Sequence, residues 1–123
     1  MKYVMLIYGN ETVWNSLPPA DMAELIGRVD TFNQELSESG ELVLAKGLVP
    51  RARSVRMGPD APVVTDGPYL EAKEYVGSMY ILDVDGEERA LEIATSYPGV
   101  VHHHGIGGGL ELWPLMEGGA GDL

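Results

Sequence analysis

The residues Thr65-Asp66-Gly67-Pro68-Tyr69-Leu70-Glu71-Ala72-Lys73-Glu74 run without a break into Tyr75-Val76-Gly77-Ser78-Met79-Tyr80-Ile81-Leu82-Asp83-Val84. The polar half is turn chemistry: Gly67 admits a positive φ, and Pro68 fixes its own φ near about −65°. The apolar half is rich in β-branched and aromatic residues and reads as a strand. A cluster of carboxylates thus stands at the mouth of a buried strand, where a binding or active site can be built.

Upstream, Tyr3-Val4-Met5-Leu6-Ile7-Tyr8 is apolar at successive positions, as in a strand covered on both faces. Gly9 to Leu17 reads as a loop carrying Trp14. Pro18-Pro19-Ala20-Asp21 opens a helix, with Asp21 and Glu24 as an alternative capping pair. Met22, Leu25, Ile26, Val29, Phe32 and Leu36 recur at helical spacing and predict one buried stripe. Gly40 supplies a left-handed stop. Glu41 to Leu48 reads as a second strand. Ser54–Met57 and Pro62–Thr65, separated by Gly58-Pro59-Asp60-Ala61, read as a hairpin.

Beyond the central strand, Asp85-Gly86-Glu87-Glu88 has the form of a capping box. It predicts a helix with Ala90, Leu91, Ala94 and Tyr97 inward, ending before Pro98. A glycine-rich link leads to a last strand, Leu110-Glu111-Leu112-Trp113-Pro114-Leu115.

The order β-α-β-(hairpin)-β-α-β predicts an α+β, ferredoxin-like fold, an antiparallel sheet with two helices on one face. The domain spans 1–116, with a frayed tail over 117–123. Helices cover one face, whereas the strands at 3–8 and 75–84 are apolar on both. The same sheet of a second subunit is the simplest cover, so a homodimer is expected.

With 123 residues the chain suits one domain with its own core. The absence of cysteine excludes disulfides, thiolate metal sites and a cysteine nucleophile. The apolar run at Tyr3–Tyr8 is too short for a signal segment, and no run is long enough to span a bilayer. A cytoplasmic protein is expected. Nineteen acids against eight bases give a net charge of −11, which disfavours nucleic acid and membrane surfaces. Arg51, Arg53 and Arg56 read as solvated hairpin residues, with anion binding as the sharper alternative.

The stretch Asp66-Gly67-Pro68-Tyr69-Leu70-Glu71-Ala72-Lys73-Glu74 resembles the D-G-P-F-x-E-x-K-E signature of the DGPF-domain proteins, a branch of the YCII-related family. Tyr69 replaces the usual Phe and keeps the ring. The similarity continues through Gly77–Val84, the acidic helix start at Asp85–Glu88 and the helix end near Pro98-Gly99. The closing Leu110–Leu115 is similar to the family's V-E-V-R-P-L, with Trp113 where Arg is usual. The resemblance implies a ferredoxin-like fold assembled as a dimeric α+β barrel. It leaves the reaction unassigned, although relatives on that barrel include lactone isomerases and dehalogenases. A His–Asp pair has been proposed for YCII-like members.

Several residues carry candidate chemistry. Asp66 is the first, as a general base or as a carboxylate orienting a histidine, against a structural role capping its own turn. His102, His103 and His104 are the only histidines. His104 or His102 is the acid/base partner proposed for Asp66; the bland reading is an exposed loop. In an extended segment His102 and His104 share a face, which suits zinc only if further ligands join them. No metal or other cofactor is expected. Lys73, Glu74, Tyr69, Tyr80 and Trp14 are the substrate-binding candidates, the charged ones alternatively forming a surface network and the rings alternatively core. Gly105-Ile106-Gly107-Gly108-Gly109 is no phosphate loop, since neither Lys-Ser/Thr nor a helix follows. The expected function is acid–base chemistry of lyase, isomerase or hydrolase type on a small organic molecule; the alternative is a non-catalytic ligand-binding or regulatory homodimer.

Overall fold

The computed structural model describes residues 1–67, 74–101 and 107–118. Strand β1 (Lys2–Asn10) alternates strictly, with Tyr3, Met5, Ile7 and Gly9 buried and the residues between them half-buried. Where a loop was expected there is a short helix, α1 (Glu11–Ser16). The Asn10 carboxamide oxygen accepts from the backbone N–H groups of Thr12 (3.0 Å) and Val13 (3.4 Å), so a residue read as part of a loop is a helix cap.

Helix α2 (Pro19–Glu38) begins with proline in its first turn and without a side-chain cap, so neither Asp21 nor Glu24 closes a capping box. Leu25, Phe32 and Leu36 are buried, whereas Ile26 is 48% exposed. The helix ends on Gly40 at φ 80°, with Gly40 N–H donating to the Ser37 carbonyl and Glu41 N–H to that of Leu36. Those two bonds are the Schellman pattern, and the left-handed φ is why glycine stands there.

Strand β2 (Leu42–Gly47) precedes the hairpin of β3 (Arg53–Met57) and β4 (Pro62–Asp66). Then come β5 (Glu74–Asp83), α3 (Glu87–Thr95), a single turn α4 (Pro98–Val101) and β6 (Gly107–Pro114). The expected capping box before α3 is not formed: Gly86 is the cap, with no side-chain bond. On α3 the inward stripe is Ala90, Ile93 and Ala94, while Leu91, one position off it, is 49% exposed.

The main sheet has the order β2-β5-β1-β6 with every pairing antiparallel, and β3-β4 forms a separate two-stranded sheet. The chain is α+β, and this order is compatible with a ferredoxin-like fold. One core joins Tyr3, Met5 and Ile7 of β1, Tyr80 and Leu82 of β5, the buried stripe of α2 and that of α3. Both helices therefore pack on one face. The opposite face carries cross-strand rows, since paired residues share a face. One row reads Leu44, Ile81, Val4, Trp113; the next reads Lys46, Met79, Leu6, Glu111. It is Val4, Leu6 and Tyr8, rather than Tyr3, Met5 and Ile7, that lie away from the helices. Trp113 widens the apolar row and is 54% exposed.

One ion pair ties the helical layer to the sheet. Arg89 donates through Nε to Glu41 Oε2 (2.8 Å) and through Nη2 to Oε1 (2.7 Å), joining α3 to the residue before β2. Hydrogen bonding from Arg89, and secondarily from Ser39, holds the Glu41 carboxyl at about 2 against its ordinary 4.5. A depressed carboxyl contributes stability that is full above 4.5 and lost as pH falls through about 2. Allowing for solvent at the half-exposed Arg89, we expect about 1–2 kcal/mol. Urea unfolding of wild type and Arg89→Ala should differ by that amount at pH 7, the gap closing between pH 4.5 and 2. A gap independent of pH would assign the loss to packing.

Candidate functional site

At one end of the sheet the register breaks. Ile7 pairs with Ser78 but Tyr8 with Val76, leaving Gly77 as an extra residue in β5. Along β6 the register also shifts between Ile7 and Gly9. A bulge bends its strand and re-aims neighbouring side chains. Gly108 permits the close approach on that side, because a Cβ there would run into the Tyr8 carbonyl. Gly77 in turn accepts from Leu48 N–H at 2.9 Å, drawing the chain after β2 inward.

Between this broken end and the helices lies a cleft of about 460 Å³. Helix α1 contributes Trp14 and Asn15, and α2 contributes Leu25, Ile26, Val29 and Asp30. Leu48 and Pro50 close one side, Tyr75, Gly77 and Ser78 come from β5, and Tyr97 and Gly99 follow α3. Apolar and aromatic walls with few polar groups are what small-molecule sites have in common. The exposure of Ile26, unexpected for a core stripe, follows from its place in this wall.

Tyr97 links the cleft to the core. Its ring meets Phe32 edge-on at 5.3 Å and Tyr80 at 5.7 Å, and Phe32 meets Tyr80 at 6.0 Å. Gly99 makes room for it, since a Cβ there would stand 2.5 Å from Tyr97 Cε2. Burial pushes the Tyr97 phenol pKa up, against hydrogen bonding with Ser78 and Tyr80. Burial, and then Tyr97, raises that of Tyr80, whose hydroxyl donates to Asn33 Oδ1 at 2.5 Å. Both phenols stay protonated through neutral pH, as positioning groups rather than bases.

Of the residues singled out in the sequence, Trp14 lines the cleft and is 37% exposed. Tyr80 is buried behind Tyr97. Asp66 ends β4, where Arg53 Nε lies 2.9 Å from its Oδ1, and its side chain is 90% exposed. It stands at the hairpin base, where Gly67 N–H donates to the Ala52 carbonyl, two residues beyond Pro50 of the cleft. Gly67 has φ 85°, the conformation that required glycine after Asp66. The backbone of Glu74 pairs with Asn10. Tyr69, Lys73, His102 and His104, and the side chain of Glu74, lie outside the described residues. Among the described residues no group of three His, Asp or Glu side chains is placed to hold a metal.

Asp30, Tyr75, Ser78 and Tyr97 were not singled out as site residues from sequence. One signal was available: Asp30 is an acid four residues after Ile26 and next to Val29, so it borders the apolar stripe.

Two comparisons bear on the chain. The family model described as YCII-related domain matches residues 1–111. An uncharacterized protein of Rhizobium meliloti (strain 1021) is 27% identical over 96 residues, covering 76% of this chain and 77% of its own.

Proposed function

The chain belongs to the YCII-related domain family, and on that premise we propose that it binds a small organic molecule in the cleft between α1, α2 and the broken end of the sheet, as a homodimer joined through the sheet's open face. The cleft itself carries this reading: it combines apolar walls with a few convergent polar groups, Asn15, Asp30 and Ser78. The apolar row of Leu44, Ile81, Val4 and Trp113 supports the dimer, and a two-fold pairing of such faces would give the dimeric α+β barrel on a ferredoxin-like protomer. Among the described residues no helix is long and apolar enough to cross a membrane.

The test is ligand-detected NMR against a fragment panel. Ile26→Trp narrows the cleft at an exposed position that the fold tolerates, and it should weaken any bound fragment about tenfold. Fragments that bind wild type and Ile26→Trp equally would sink the cleft as the site.

A second reading adds catalysis, with Asp66 and His104 or His102 as an acid/base pair and Lys73, Glu74 and Tyr69 holding the substrate. One observation favours it. Asn10 pairs with Glu74 and Gly9 with Gly107, so the described anchors of both motif segments lie at the cleft end of the sheet. The Arg53 ion pair at Asp66 favours the non-catalytic reading, because that carboxylate is already engaged. Turnover abolished by Asp66→Ala in a folded protein, with a limb near the histidine pKa in the pH–rate profile, would establish the pair. A profile without that limb removes it.

A further inference from the structure

We propose that the cleft selects a small organic cation, an amine on an aromatic or branched apolar body, over the corresponding anion. This rests on the reading that the cleft is the ligand site, and adds the charge of what enters it. Among the described residues that line the cleft, Asp30 is the one ionisable carboxylate, and none is a lysine, arginine or histidine. Among the described residues Asp30 also has no salt-bridge partner, unlike Asp66 and Glu41.

The other polar groups suit the same ligand. Asn15 and Ser78 present oxygens that accept from an ammonium. Trp14, Tyr75 and Tyr97 bring aromatic rings to the lining, and an aromatic ring attracts a cation to its face. Leu25, Ile26 and Val29 complete an apolar wall beside Asp30 on the same helix, so an apolar body lies inward with its charged end at the carboxylate. A chain of net charge −11 reinforces that attraction at long range and opposes an entering carboxylate.

Three probes with one phenyl body separate charge from shape: 2-phenylethylamine, 2-phenylethanol and phenylacetate. Their affinities are read by saturation-transfer NMR and by Trp14 fluorescence in a Trp113→Phe background, which leaves Trp14 as the reporter. The amine should bind about tenfold tighter than the alcohol, the acid should bind weakest, and added salt should narrow the spread. Asp30→Asn, at an exposed position, should bring the amine to the alcohol's level and leave the alcohol unchanged. Phenylacetate binding as tightly as the amine, or an amine preference that survives Asp30→Asn, overturns the inference while leaving the cleft as a ligand site. Absence of binding by all three overturns both.

Discussion

Replacing Phe32 with alanine is expected to lower stability by about 3–5 kcal/mol, the range for removing a buried aromatic ring and leaving a cavity. Phe32 is the ring that both tyrosines meet edge-on, and it is 9% exposed. Its loss removes apolar burial and two aromatic contacts at once. It also leaves Tyr80 and Tyr97 free to tilt, although Asn33 and Ser78 still hold their hydroxyls. For a chain of this length the midpoint should fall by about 10–20 °C. Phe32→Leu should cost far less, because it keeps most of the volume. Thermal melts of both variants check the ranking. Equal, small losses would mean that the ring cluster is not the centre of the core. A cleft-bound fragment should also weaken in Phe32→Ala, since Tyr97 forms part of the cleft wall.

The proposed dimer predicts a comparable effect on the opposite face. Leu6 lies in the second cross-strand row between Met79 and Glu111 and is half-buried in the single chain. Leu6→Glu leaves the helix-side core untouched but puts a charge at the centre of a face that a second copy would cover. An uncompensated charge buried at an interface costs about 3–5 kcal/mol, enough to weaken association at least a hundredfold. Sedimentation equilibrium should show wild-type dimer and Leu6→Glu monomer, with the variant's helical circular dichroism retained. A wild-type monomer, or a dimer indifferent to the charge, would remove the sheet face as the interface. Trp113→Ser, at the rim of the same face, should weaken the dimer less, because rim positions remain partly solvated.

Local patterns in the chain announced most of the elements. The apolar run Tyr3–Tyr8, the helical spacing of Met22, Leu25, Ile26, Val29, Phe32 and Leu36, and the left-handed stop at Gly40 each depend on residues a few positions apart. The errors were local ambiguities. Asn10 serves turns and helix caps equally well, and only the chain beyond it decides between them. Asp85-Gly86-Glu87-Glu88 had the right residues for a box, but the helix began one position later, which removed Asp85 from the cap. Ile26 matched the stripe by spacing and faces a cleft instead of the core.

The candidate site was less legible. Trp14, expected on a loop, lines the cleft from α1, while Asp30, one of the five acids of α2, reads by itself as part of the solvated side. Asp66 stood out through its motif, and the motif's glycine does have the φ that the turn needs. Its pairing with Arg53 depends on the β3–β4 register, which sequence spacing did not reveal.

The sequence by itself determined the order of the main-sheet strands and the two long helices, the hairpin, and membership of the YCII-related family. Periodicity and turn chemistry are short-range properties, so they survive without knowledge of what packs where. Tertiary structure alone decided that the hairpin forms its own sheet, that Val4 and Leu6 lie on the open face, and that Asp30 rather than Asp66 borders the cleft. Those outcomes turn on the bulge at Gly77 and on the register between strands far apart in the chain, and a one-residue change in register reverses which side chains face inward.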